Sequence, residues 1–313
     1  MRIVIVGPGA LGSVIGATLS RRGHEVTLLG RRSPHLQALR ERGLKLETRD
    51  CTSEHVTIAV TDDPAVIGAA ETVIVLVKVV DTIAAMDAIR PYIRPDHVVL
   101  TLQNGLGNIE KIRTTLGTGP RILVGVTSQA ATRLRPGSVM HAGEGPTLVG
   151  YVDERDAGSA GELARIFTDA GLPAVSVPDI DRWIWRKLAV SAAINGLTAL
   201  GGFLNGAIAS DNALLDAAET ISEEVVSVAR ASGIELGGMR RVILETAVAT
   251  ADNRSSMLQD LDAGRPTEVD VIHGAVLAAG AEVGIATPAT YVIAALIRAK
   301  EKTVATPEHV DGE

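Results

Sequence analysis

The chain has 313 residues, 46% hydrophobic and 21% charged, which is enough for two globular domains with separate cores. A net charge of −7 argues against a nucleic-acid footprint. The single cysteine, Cys51, excludes an intrachain disulfide and a cysteine-built metal cluster, and no apolar run reaches the roughly 18 residues of a membrane span.

The start, "MRIVIVGPGALG", enters a strand pattern at once and lacks a signal-peptide pattern, so a cytoplasmic enzyme is expected. A buried strand is predicted over 2–7, a helix over 11–23 ending at Gly23, and a second strand over 25–30. The near-continuous apolar run 71–78 predicts a central parallel strand, and 97–105 and 121–129 predict two more. The segment 140–152 reads as a strand pair with glycine turns, and 171–179 as a last strand at the domain edge. Strands alternating with helices predict a doubly wound α/β sheet of Rossmann type. From Ile180 the pattern turns almost wholly helical, with breaks at 196–206, 231–238, 261–270 and 284–290. The expected division is therefore 1–178, α/β, and 179–313, all-α, ending in a polar, frayed tail, "TPEHVDGE".

Residues 7–12, "GPGALG", form G-x-G-x-x-G between a strand and a helix, the setting of a dinucleotide-binding turn. Gly7 allows the tight turn, Gly9 the approach of a pyrophosphate, and Gly12 close helix–strand packing. Pro8, Ala10 and Leu11 complete the loop at the helix N-terminus. At the end of the second strand, "LLGRRSP" places Gly30 where an NAD-binding fold carries an acid. Arg31 and Arg32 follow; they read as partners for a 2′-phosphate, with Arg31 the contact and NADP(H) the cofactor, or as solvated loop charges. Lys78, at the end of its strand, either points into the ligand crevice or snorkels to solvent. Asn104, in "LQNGLGN", either faces that crevice or serves an Asn-Gly turn.

In "WIWRKLAVSAAIN" (183–195), Lys187, Ser191 and Asn195 share one face of an otherwise apolar helix, with Thr198 close behind. A buried ammonium is expensive, so Lys187 reads either as a proton donor beside a reduced nicotinamide or as a lysine whose head reaches solvent. The seven histidines form no H-x-x-x-H pattern, so no metal site is expected, and His24, His97 and His273 read as strand- or helix-edge residues. Ser128 lacks the G-x-S-x-G context of a hydrolase nucleophile.

Taken in order, "GPGALG", "LQNGLG", "WRKLAV" followed by "IN", "SSMLQD" and "EVDVIHG" resemble the ketopantoate reductase (2-dehydropantoate 2-reductase) family over nearly the whole chain. The resemblance implies NADPH-dependent reduction of 2-dehydropantoate to pantoate. It implies a Rossmann-type N-terminal domain, a helical C-terminal domain like that of 6-phosphogluconate dehydrogenase, and an active site in the cleft between them. On matching motifs, Lys187 resembles the proton donor, Asn104 the asparagine shared by cofactor and substrate, and Glu268 the acid that closes the site on the catalytic and cofactor side. Arg31 and Lys78 resemble cofactor contacts, and Ala131 a backbone contact. Asn195 and Asn205 resemble substrate-side amides; Ser256, with Ser255 beside it, resembles the hydroxyl that holds the substrate carboxylate. Ser191, counted with the substrate side, departs from an asparagine common in the family, which keeps open a different 2-oxo acid. A non-catalytic NADP(H)-binding protein is the reading from another class. The segments "AVATADN" and "AVLAAGAEVGIA" read either as a homodimer surface or as core.

Overall fold

The computed structural model describes residues 1–305; the tail 306–313, expected to fray, lies outside the described residues. The chain forms two compact units: Met1–Gln103 with Gly107–Ile180, and Asn104–Leu106 with the residues from Asp181 onward.

The first unit carries strands β1 (Arg2–Val6), β2 (Glu25–Leu29), β3 (Leu44–Thr48), β4 (Ser53–Val56), β5 (Ala59–Thr61), β6 (Thr72–Val75), β7 (Val98–Thr101), β8 (Arg121–Thr127), β9 (Ala130–Arg135), β10 (Ser138–Gly143), β11 (Thr147–Tyr151) and β12 (Ala174–Ser176). Its helices are α1 (Ala10–Arg21), α2 (Pro34–Arg42), α3 (Thr82–Ile89), α4 (Asn108–Leu116) and α5 (Ala157–Asp169). The main sheet has the order β12-β11-β8-β7-β6-β1-β2-β5. Its pairs are parallel except β11 with β8. Strand order reverses between β1 and β6, the place where open α/β sheets bind ligands. Period-two alternation explains the two-sided burial: Ile3 and Ile5 enter one core, Val4 and Val6 the other.

Several sequence expectations are corrected here. The segment 140–152 supplies β10 and β11, but these do not pair with each other. β10 joins a second sheet of order β4-β3-β10-β9, while β11 pairs with β8. Gly145 lies between them, where a Cβ would come within 2.6 Å of Ser128 Cβ, so the chain can pass close to Ser128 as it changes sheet. The second sheet packs on α1; its strands β3, β4 and β9 are short and half polar, which hides them beside the long apolar runs. The central run 71–78 is a strand only over Thr72–Val75. His97, at the edge of β7 as expected, is fully buried, and so is His273, which lies within the π-helical turn Asp270–Gly274. His97 Nδ1 accepts from Arg94 N at 3.1 Å, closing the turn before β7.

The second unit contains α6 (Ile180–Gly201), α7 (Ala207–Ser210), α8 (Asn212–Ala231), α9 (Met239–Ala249), α10 (Ser256–Asp262), a π-helical turn (Asp270–Gly274), α11 (Ala275–Val283) and α12 (Pro288–Ala305). α6 runs six residues beyond Asn195, through most of the break expected at 196–206. Its Leu188, Ala189 and Ala192 meet Val225 and Val228 of α8 and Ile297 of α12 in one core. Ala247 and Val276, from the two segments that could have served a dimer, are buried within this unit, while Val248 is exposed. Among the described residues no helix is long and apolar enough to cross a membrane.

Two helix starts in this unit, those of α8 and α12, are fixed by carboxylates. Asp211 accepts from Ala213 N at 2.8 Å and Leu214 N at 3.0 Å, capping α8. Glu224 on α8 caps α12 from outside, accepting from Ala289 N and Thr290 N, each at 2.8 Å, and from Thr290 Oγ1 at 2.7 Å. Glu224→Ala is expected to destabilise the protein by about 1–2 kcal/mol, the usual range for a lost N-terminal cap. Urea unfolding checks this.

Candidate active site

The glycine loop of the first unit is shaped by close approach. Gly7 has φ +103°, and a Cβ there would come within 2.5 Å of Val77 N; at Gly12 it would meet Gly7 O at 2.3 Å. Neither position admits another residue without moving backbone. Gly9 differs: a Cβ there would meet nothing within 4 Å. As N-cap of α1, Gly9 brings no side-chain cap, which leaves the first amides of Ala10, Leu11 and Gly12 for an anion. The loop therefore fits a dinucleotide pyrophosphate.

A buried chain of bonds steadies the loop. Gly137 N donates to His35 Nδ1 at 3.0 Å, and His35 Nε2 lies 3.3 Å from Ser13 Oγ, which donates to Pro8 O at 3.4 Å. Burial, helped by Arg133, lowers the His35 pKa to about 4, so the ring is neutral. Sequence reading missed this link because its members come from α1, α2 and the β9–β10 turn.

At the end of β2, a Cβ on Gly30 would fall 2.6 Å from both Cδ and Cγ of Pro8. The acidic residue of an NAD-type strand end is thus sterically excluded by the loop itself. Arg31 and Arg32 are both exposed, and each pairs with an aspartate. Lys78 is exposed three residues beyond β6. The backbone beside it is held by Gln103, whose Nε2 donates to Val77 O at 2.8 Å and to Thr82 Oγ1 at 2.7 Å. Ala131 lies on β9 and packs into the same apolar cluster as Ala10 and Leu11.

In the second unit, α6 presents Lys187, Ser191 and Asn195 as half-buried positions on a helix whose Leu188, Ala189, Ala192, Ala193 and Ile194 are buried. Desolvation lowers the Lys187 pKa to about 8, against an opposing pull from Glu268. Glu268 Oε2 accepts from Asn104 Nδ2 at 3.0 Å. Lys187, Glu268 and Asn104, from three separate stretches of sequence, form one polar group.

Two glycines allow that convergence. Gly105, at φ +84°, lies where a Cβ would meet Val271 O at 2.3 Å. Gly196 lies where a Cβ would meet Ile293 Cγ2 at 2.4 Å and His273 Nε2 at 2.8 Å. His273 Nε2 in turn lies 3.1 Å from Ala192 O. Burial lowers the His273 pKa to about 4, so a neutral ring donates to that carbonyl. It ties the π-helical turn just after Glu268 to α6, which bears Lys187.

The serines and asparagines divide by duty. Ser255 is buried; its Oγ accepts from Leu258 N at 3.2 Å and from Thr198 Oγ1 at 2.9 Å, so it caps α10 and joins it to α6. Ser256, the first residue of α10, is exposed. Asn205 is buried and donates through Nδ2 to Thr250 Oγ1 at 3.0 Å, while its Oδ1 has no hydrogen-bond partner among the described residues. A buried acceptor of that kind suits a ligand hydroxyl.

Two family profiles described as ketopantoate reductase PanE/ApbA match the chain, the N-terminal one over residues 3–154 and the C-terminal one over 179–301. The 2-dehydropantoate 2-reductase of Halobacterium salinarum is 36% identical over 303 residues, covering 96% of this chain and 99% of that one. The crystal structure of a PanE/ApbA family ketopantoate reductase from Ralstonia eutropha JMP134 is similar at TM-score 0.88 and 32% identity, covering 98% of this chain and 100% of that one. A ternary structure of D-mandelate dehydrogenase with NADH and anilino(oxo)acetate is similar at TM-score 0.92 and 27% identity, with the same coverage.

Gly105→Ala is expected to destabilise by about 1–3 kcal/mol through overpacking against Val271. Asn104→Ala, which removes a bond without a clash, should be milder. Equal unfolding free energies for the two variants would show that close approach at Gly105 is not the constraint.

Proposed function

The chain belongs to the ketopantoate reductase family of oxidoreductases, and from that premise we propose that it reduces 2-dehydropantoate to (R)-pantoate with NADPH, in the cytoplasm, on the route to pantothenate and coenzyme A. The observation that carries the reading is Lys187, a desolvated ammonium with a pKa near 8 beside Glu268. Such a group is still charged at neutral pH yet gives up its proton far more readily than an ordinary lysine.

NADPH, when bound, supplies the hydride that goes to C2. The chain's own residues do the rest. Residues Gly7 to Gly12 receive the pyrophosphate on the amides that open α1, Arg31 meets the 2′-phosphate with Lys78 as a second cation, and Ala131 adds a backbone contact. Lys187 hydrogen-bonds the C2 carbonyl oxygen and transfers its proton as negative charge develops there. Glu268 keeps the ammonium charged, and Asn104 orients Glu268 through the bond at 3.0 Å. Ser256, beside the capping Ser255, holds the substrate carboxylate. Asn195 and Asn205 face the remaining polar groups, Asn205 through its unpartnered Oδ1. Ser191 lies one helical turn from Lys187 and borders the same substrate.

A second reading keeps the mechanism and changes the 2-oxo acid. Ser191 is shorter than asparagine and leaves room, and the similarity to D-mandelate dehydrogenase extends over 98% of this chain. A panel of 2-oxo acids assayed with NADPH and NADH separates the two readings. Turnover preferring 2-dehydropantoate supports the first; preference for a bulkier acid such as benzoylformate supports the second.

Lys187→Ala is expected to lower kcat by about 10²–10⁴-fold, the usual worth of general acid catalysis. The donor must be protonated, so the rate of reduction should fall as pH rises through about 8. Glu268 raises the lysine pKa, so Glu268→Gln should move that falling limb to lower pH; a limb that stays in place would remove Glu268 from this role. Lys187 also opposes folding. Its native pKa lies below the unfolded value of 10.5, so its cost is full below about pH 8 and is relieved as pH rises from there toward 10.5. Lys187→Met is therefore expected to melt at a higher temperature than the wild type at pH 7 while losing activity.

A further inference from the structure

The two arginines after β2 have different surroundings. Arg32 Nε donates to Asp62 Oδ2 at 2.6 Å, and Arg40 Nη2 reaches the other oxygen of that carboxylate at 2.9 Å. Asp62 thus sits between two guanidiniums, and hydrogen bonds from both lower its pKa to about 2. Arg31 Nη2 instead donates to Asp81 Oδ2 at 2.9 Å. Asp81 belongs to the short turn Val79–Asp81 that follows Lys78. It stands at the N-cap of α3 but accepts no capping bond from that helix, so its carboxylate is committed to Arg31.

A Rossmann-type site for NADH ordinarily holds the ribose 2′-hydroxyl with an acid at the end of the second strand. Gly30 occupies that place here, and Pro8 fills the space its side chain would need. A carboxylate reaches the neighbouring residue, Arg31, from the loop after β6 instead.

We infer that Asp81 and Arg31 act as a paired selector for the cofactor's ribose 2′-position. With NADPH, Arg31 leaves Asp81 and pairs with the 2′-phosphate. With NADH, Asp81 remains on Arg31 and accepts a hydrogen bond from the 2′-hydroxyl. The inference rests on the reading of residues 7–12 as a dinucleotide cradle. The Arg31 side chain is 82% exposed and that of Asp81 32%, so the pair lies in water-like surroundings and separates easily. A phosphate accepts from guanidinium through several oxygens and displaces a carboxylate. The displaced Asp81 stays close to the phosphate and repels it. Asp81 therefore weakens NADPH binding and supports NADH binding, and the protein binds both nucleotides.

The test is the Kd of NADPH and of NADH, by calorimetry on the purified protein without substrate, for the wild type, Asp81→Ala, Arg31→Gln and the double variant. Asp81→Ala is expected to tighten NADPH by about fivefold, the scale of a lost exposed ion-pair competitor. It should weaken NADH by about tenfold, the scale of a hydrogen bond to a charged acceptor. Arg31→Gln should weaken NADPH and reduce the effect of Asp81→Ala on it. Asp81→Ala shifting both nucleotides in the same direction, or neither, would overturn the selector while leaving the cradle intact. A wild type that binds neither nucleotide would overturn cradle and selector together.

Discussion

The site depends on a lysine held where water solvates it poorly. Lys187 is carried by a helix whose neighbouring residues Leu188, Ala189, Ala192 and Ile194 are buried, which fixes the helix position from which its side chain extends. Burial pushes its proton off and the Glu268 carboxylate draws it back, and the balance falls near pH 8. The two influences oppose each other, with burial the larger, so the lysine is left less basic than an ordinary one while still charged at neutral pH.

Keeping that balance requires positional accuracy, and the second unit obtains it by close backbone approach. Gly105 lets the 104–106 segment press against Val271, and Gly196 lets α6 press against His273. His273, neutral and fully buried, ties the Ala192 carbonyl to the turn after Glu268. The π-helical turn itself fits a pattern in which such irregularities occur at functional positions. The first unit uses the same device at Gly7 and Gly12, with Gly9 left open. Close backbone approach thus shapes both the glycine loop and the surroundings of the helix that bears the lysine.

Much of this was legible in the sequence, for definite physical reasons. The apolar runs of β1, β6, β7 and β8 and the turn "GPGALG" are local signals, and so is a polar stripe on an apolar helix. They pointed to the α/β fold, which the structure shows, and singled out the glycine turn and Lys187 as candidates. What stayed hidden is non-local. The second sheet draws β3 and β4 together with β9 and β10 across more than seventy residues, with half-polar strands that carry little hydrophobic signal. His273 reads as an edge residue because nothing beside it in sequence shows that Gly196 makes room for its ring. Ser255 reads as a partner of Ser256, and only the fold shows its hydroxyl capping α10 and meeting Thr198. Arg31 was legible as a cation, but its carboxylate partner Asp81, fifty residues away, was not.

The central claim concerns the charge state of one nitrogen, and a titration addresses it directly. Lysine-selective isotope labelling followed by heteronuclear NMR, with Lys187→Met to assign the resonance, reads the Lys187 pKa in the folded protein. The account predicts a value near 8, well below the ordinary 10.5. A Lys187 that titrates with the other lysines near 10.5 would contradict it, because such a group holds its proton too tightly to act as the donor described.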